Sequence, residues 1–89
     1  MEAITFKRNL DQSNSSIVAV EQEKEVGRIE FSLQSSKLTI NHTEVSPEKR
    51  GGELAKTLVF KTKELSEEKN IGIESNCPYA KKVLQKEKE

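Results

Sequence analysis

The feature that most constrains this chain is the run from residue 37 to residue 75, which reads strand, helix, strand with little between them. "KLTINHTEV" is rich in β-branched residues, and "IGIES" is a second, shorter strand. Between them, residues 51–69 place Leu54, Leu58 and Leu65 at helical spacing, with Ala55, Val59 and Thr62 beside them. A helix joining two strands of one sheet carries the chain back to its starting edge, so the two strands pair in parallel through a right-handed crossover. Glu53, Lys56, Lys63, Glu64 and Glu67 take the wet face of the helix, and "KNIG" ends it. Phe60 falls on that wet side, which calls for cover from another segment or for a partner chain.

The first 45 residues read as strands joined by turns. "ITFKRNL" alternates, with Ile4, Phe6 and Leu10 on one face, as an edge strand does. "DQSNSS" has loop composition, and "SIVAVE" is a short apolar run suited to a strand covered on both faces. "EQEKE" is a charged turn, and "VGRIEFSL" points Ile29, Phe31 and Leu33 inward. In the fourth strand Leu38 and Ile40 share a face, but Val45 has the opposite parity. A β-bulge between Ile40 and Val45, or the strand's end, would resolve this. After "NCP" turns the chain, "YAKKVLQKEKE" is a last helix with Ala80, Val83 and Leu84 on one face. The expected fold is α/β: a twisted mixed sheet of about five strands in the order β-β-β-β-α-β-α, with one main crossover helix and a short C-terminal helix.

With 89 residues the chain is expected to form a single domain spanning 1–89. Fifteen basic residues balance fifteen acidic ones, so the basic footprint of a nucleic-acid binder is missing. The one cysteine, Cys77, cannot form an internal disulfide, and "MEAITFKRNL" has no long apolar stretch. A cytoplasmic protein, off the membrane, is the expectation.

In a parallel strand-helix-strand unit, ligands sit beyond the carboxyl ends of the strands. That rim gathers three segments distant in sequence: His42 to Val45, the turn 50–52, and the pair Cys77 and Tyr79. The turn opens a helix, whose first N–H groups lack internal partners and attract anions. Glycines there let a ligand approach, and Arg50 adds a fork for phosphate oxygens. The same "SPEKRGG" would also serve as an ordinary strand-to-helix connection. His42 and Glu44 are candidate bases, His42 because its ordinary pKa lies near neutrality. Each also has a plain structural reading, as a strand-bridging histidine and a solvated strand-end acid. Cys77 is either a small buried hydrophobe or a functional thiol.

"HTEV", "RGGELAKTLV" and "ESNCPYAKKVL" resemble the GNAT acetyltransferase superfamily, and within it the smallest, single-domain YjdJ-type branch with a cysteine after the fifth strand. The likeness covers most of residues 24–84. The superfamily signature is Arg or Gln, two residues, Gly, one residue, then Gly or Ala. Here the run is Arg50, Gly51, Gly52, Glu53, Leu54, Ala55. Arg50 and Ala55 match, while Glu53 stands where the signature has glycine, and Gly52 comes one position early.

The resemblance implies transfer of an acetyl group from acetyl-CoA to an amine, with no metal. It implies that Arg50 to Ala55 hold the pyrophosphate of coenzyme A. It also implies a bulge in strand four that splays it from strand five and admits the pantetheine arm beside Thr43, Glu44 and Val45. Cys77 would sit at the thioester, either taking the acetyl group itself or lining the pocket while the amine attacks directly. His42 would do acid–base work, and Tyr79 would pack against the cofactor. The acceptor amine, a small molecule or a protein, is left open, as is a monomer or weak dimer. Glu53 motivates an alternative, a non-catalytic acyl-CoA sensor. Phe60 motivates another, a protein-interaction module.

Overall fold

The computed structural model describes residues 4–11, 14–49 and 53–87. Five strands form one sheet in chain order: β1 (Thr5–Asn9), β2 (Ser15–Glu21), β3 (Lys24–Leu33), β4 (Lys37–Val45) and β5 (Gly72–Ser75). The first four pair antiparallel, and β4 pairs with β5 in parallel through the crossover helix α1 (Leu54–Glu68). A short helix α2 (Pro78–Glu87) follows β5.

One face of the sheet carries both helices. Ile17, Ala19, Ile29, Phe31, Leu38 and Ile40 meet Leu54, Leu58, Val59 and Leu65 of α1, and Ala80 and Val83 of α2 close the same core. Burying each large side chain contributes about 1.5–3 kcal/mol. Gly27 lets α1 approach β3 closely: a Cβ there would stand 3.2 Å from Leu54 Cδ2, 3.2 Å from Leu58 Cδ1 and 3.4 Å from the Glu44 carbonyl oxygen.

β4 bulges where its parity breaks. Phe31 faces Ile40 and Glu30 faces His42, so Asn41 is the extra residue. The bulge turns Thr43 and Val45 onto the face of Leu38 and Ile40, and Val45 is buried with them. The expectation of a bulge between Ile40 and Val45 is borne out, and its consequence is that Thr43 points toward the helices.

Two readings of the strand ends need correction. β1 ends at Asn9, whose partner Ser16 is the last of the ladder, so Leu10 does not join Ile4 and Phe6 against the core but is 47% exposed. The chain is already turning there, held by Asp11 N–H donating to Ser15 Oγ (3.0 Å) and Ser15 Oγ donating to the Asp11 carbonyl (2.8 Å). The β2–β3 turn is tighter than its charge suggested, because Gln22 and Glu23 both have positive φ, 51° and 64°. Neither is glycine, asparagine or aspartate, the residues such a turn favours. Glu23→Gly should therefore raise stability by about 1 kcal/mol, read as an increased denaturant midpoint with unchanged slope.

Candidate active site

The site begins where β4 and β5 part. Their pairing runs only from Lys37–Gly72 to Ile40–Ser75, and the Ile40 carbonyl accepts from Asn76 N–H (2.8 Å). Beyond that point β4 continues to Val45 while the segment after β5 turns into α2. Side chains brace the fork: Asn41 Nδ2 donates to Ser32 Oγ (2.9 Å), and Asn76 Nδ2 donates to Asn41 Oδ1 (3.3 Å).

Cys77 caps α2. Its carbonyl accepts the first helical bond, from Lys81 N–H (3.0 Å), and Pro78 follows at the first helical position, where a missing N–H costs nothing. Ser75 clamps the turn: its Oγ accepts from Cys77 N–H (3.0 Å) and donates to the Cys77 carbonyl (2.8 Å). The sulfur thus takes the place of a capping oxygen, facing the N–H groups of Tyr79 and Ala80. Burial pushes the half-buried thiol up. The nearby Ala80 N–H, Thr43 hydroxyl, Tyr79 N–H and Thr43 backbone favour the thiolate and outweigh it, and the thiol lies below its ordinary value. The Thr43 hydroxyl is buried and makes no hydrogen bond of normal geometry, yet it lies against the Cys77 sulfur.

Thr43→Val should therefore raise the Cys77 pKa, which the ultraviolet absorbance of the thiolate against pH would report. The sign follows from linkage. A thiol lowered by folding adds stability above its unfolded pKa, and loses it as pH falls through the folded value. Removing the Thr43 donor should shrink that alkaline gain.

The sequence profile of the GCN5-related N-acetyl-transferases matches residues 16–89. The chain belongs to this family. No curated protein sequence matches it. Among solved structures, the ribosomal-protein-alanine N-acetyltransferase from Brucella melitensis biovar Abortus 2308 superposes with a TM-score of 0.72 at 20% identity, covering 85% of this chain and 64% of that one. The PaiA N-acetyltransferase from Thermoplasma acidophilum, in complex with coenzyme A, gives 0.61 at 20%, covering 66% and 37%. An aminoglycoside acetyltransferase, meta-AAC0020, from an uncultured soil metagenomic sample, in complex with sisomicin, gives 0.72 at 17%, covering 89% and 59%. At these identities the likeness is one of fold, and the chain spans less than two thirds of each of these proteins.

Against this GNAT frame, the expected site residues fall into three groups. Cys77 and Thr43 are brought together, and Tyr79, the second residue of α2, stands beside them. Burial first, then the charge on Cys77, pushes the Tyr79 phenol up, which leaves the hydroxyl a poor proton donor. His42 and Glu44 are exposed and project from the other face of β4, opposite Thr43 and Val45. At the helix mouth, Glu53 takes the cap position of α1 but its side chain makes no capping hydrogen bond, while Leu54 is buried and Ala55 half-buried. Arg50, Gly51 and Gly52 lie outside the described residues.

Ser75, Asn41 and Asn76 were not singled out by sequence reasoning. The available signal was the Ser-Asn-Cys-Pro run: a Pro at the first helical position makes the residue before it the cap. Phe60 is half-buried, packed against the core and flanked by α2, so another segment does supply part of its cover. Among the described residues, no helix is long and apolar enough to cross a membrane.

Proposed function

We propose that this protein transfers an acetyl group from acetyl-CoA to an amine, with Cys77 carrying the acetyl group in between. The observation that carries the reading is a thiol of lowered pKa held at a helix N-terminus, against Thr43, where β4 and β5 part. The pantetheine arm would run along β4 beside Thr43, Glu44 and Val45. The pyrophosphate would meet the α1 N-terminus at Glu53, Leu54 and Ala55, with Arg50, Gly51 and Gly52 completing the turn. Glu53 does not fold back onto those N–H groups, so its charge leaves them accessible. The cysteine following β5 is the reason for placing the chain in the minimal single-domain branch.

Chemically, Cys77 Sγ attacks the thioester carbonyl carbon. The carbon–sulfur bond to coenzyme A breaks, and the departing thiolate takes a proton from water. The acceptor's neutral nitrogen then attacks the acetyl group on Cys77, the Cys77 thiolate leaves, and the nitrogen sheds a proton. His42 lies on the open face of β4, the side from which an amine would enter, and would accept that proton. Thr43 and the two N–H groups stabilise the thiolate at both ends of the cycle.

Mixing the protein with acetyl-CoA, quenching, and weighing the intact chain tests this. One acetyl group should appear on Cys77 and discharge when an acceptor amine is added. Turnover with no acetylated intermediate, kept in Cys77→Ala, would mean direct attack by the amine.

A further inference from the structure

We infer that the tip of the β2–β3 hairpin seats the turn 50–52: Glu21 and Lys24 hold Pro47–Lys49 in one register and so act as positioning residues for the grip on the pyrophosphate; this rests on the acetyl-transfer reading. Glu21 and Lys24 face each other as the last pair of the β2–β3 ladder, joined only by Gln22 and Glu23, both with positive φ. So short a turn leaves the two side chains little freedom of place. Against them lies Pro47–Lys49, a single 3₁₀ turn that leads directly to Arg50.

Two ion pairs cross between these segments with opposite polarity. Lys49 Nζ stands 2.8 Å from Glu21 Oε1, and Lys24 Nζ donates to Glu48 Oε1 at 3.2 Å. The side chains of Lys49 and Glu21 are 30% and 18% exposed, against 69% and 58% for Lys24 and Glu48. The Glu21–Lys49 pair is therefore the less screened and carries more of the attraction. The order of signs sets the register. A slip of the 3₁₀ turn by one residue in either direction would set like charges together, Glu48 by Glu21 or Lys49 by Lys24.

The chain on both sides of the turn 50–52 is anchored on one short piece of β3. Before it, Ser46 N–H donates to the Val26 carbonyl (2.9 Å), and Lys49 N–H donates to the Ser46 carbonyl (2.9 Å). After it, Leu54 is buried against Gly27, where an added Cβ would meet Leu54 Cδ2 at 3.2 Å. A turn whose ends are already fixed loses less entropy in closing on a ligand. The two ion pairs raise the fraction of molecules in which that turn is ready for the pyrophosphate, and apparent donor affinity rises with that fraction.

The test uses three proteins and two ligands. Beside the unmodified chain stand Glu21→Gln/Lys24→Gln, which removes both pairs, and Glu21→Lys/Lys24→Glu, which keeps every charge but reverses their order. Coenzyme A, which carries the pyrophosphate, is titrated by calorimetry. S-acetylpantetheine, which has the thioester and the arm without the pyrophosphate, is followed by weighing the intact chain as Cys77 is acetylated. The neutral variant should bind coenzyme A roughly fivefold more weakly, and the reversed variant roughly tenfold or more. The rate of acetylation by S-acetylpantetheine should be the same in all three. Equal affinity of the three proteins for coenzyme A would overturn the inference and leave acetyl transfer standing. Slower reaction of the variants with S-acetylpantetheine would assign the hairpin to the fold at large, and the inference would fall in that case too. No binding of coenzyme A and no acetylation of Cys77 in the unmodified chain would overturn the acetyl-transfer reading and this inference with it.

Discussion

Cys77→Ala should yield no acetylated protein and should lower turnover by on the order of a hundredfold or more, the scale of losing one group that acts on the reacting atoms. Cys77→Ser makes the result specific. Serine is among the strongly preferred cap residues, so it should hold the α2 N-terminus at least as well as cysteine does. Its hydroxyl, however, ionises far too weakly to act as the thiolate does. The serine variant should thus keep or raise the melting temperature while losing activity as the alanine variant does. Such a split separates chemistry at the sulfur from the sulfur's structural task of capping the helix. Loss of fold in both variants would assign Cys77 to structure. Full activity in both would remove it from the reaction.

Leu58→Ala should cost about 3 kcal/mol, within the usual range for a buried leucine. Leu58 is 0% exposed and presses on β3 at Gly27, where no side chain can move in to fill the gap it would leave. A domain of this size has a stability of about 4–13 kcal/mol, so the loss is a large share. The melting temperature should fall by more than about 10 °C. On the proposed reading, in which acetyl-CoA binds at the α1 N-terminus of the folded chain, saturating acetyl-CoA should recover part of that. A drop of only a few degrees would mean that α1 is seated by other contacts than this one.

How much could be read in advance differs from residue to residue. The leucines of α1 declare a helix by spacing alone, and the helix between two strands dictates parallel pairing of β4 and β5. The parity conflict between Ile40 and Val45 located the bulge, since a strand cannot bury both without an extra residue between them. Leu10 was misread because alternation says which face a residue would take, while the ladder's length decides whether it reaches the core. Cys77 was identifiable as a candidate, but its lowered pKa was not. That depends on Thr43, which belongs to a different strand, and on N–H groups that become donors to sulfur only when α2 forms. Lys56 reads as part of the wet face of α1 and Lys86 as part of the mixed-sign run "QKEKE", and the sequence does not say that both line one cleft between α1 and α2 together with Lys82.

Local pattern, then, was enough to determine the strand and helix order and the parallel pairing of β4 with β5, because these follow from side-chain periodicity and chain connectivity. The tertiary structure alone decided which side of β4 Thr43 faces, what the Cys77 sulfur touches and where unbalanced positive charge collects. Each of those depends on through-space distance between segments far apart in the chain, and electrostatics and hydrogen bonding act over a few ångströms whatever the separation in sequence.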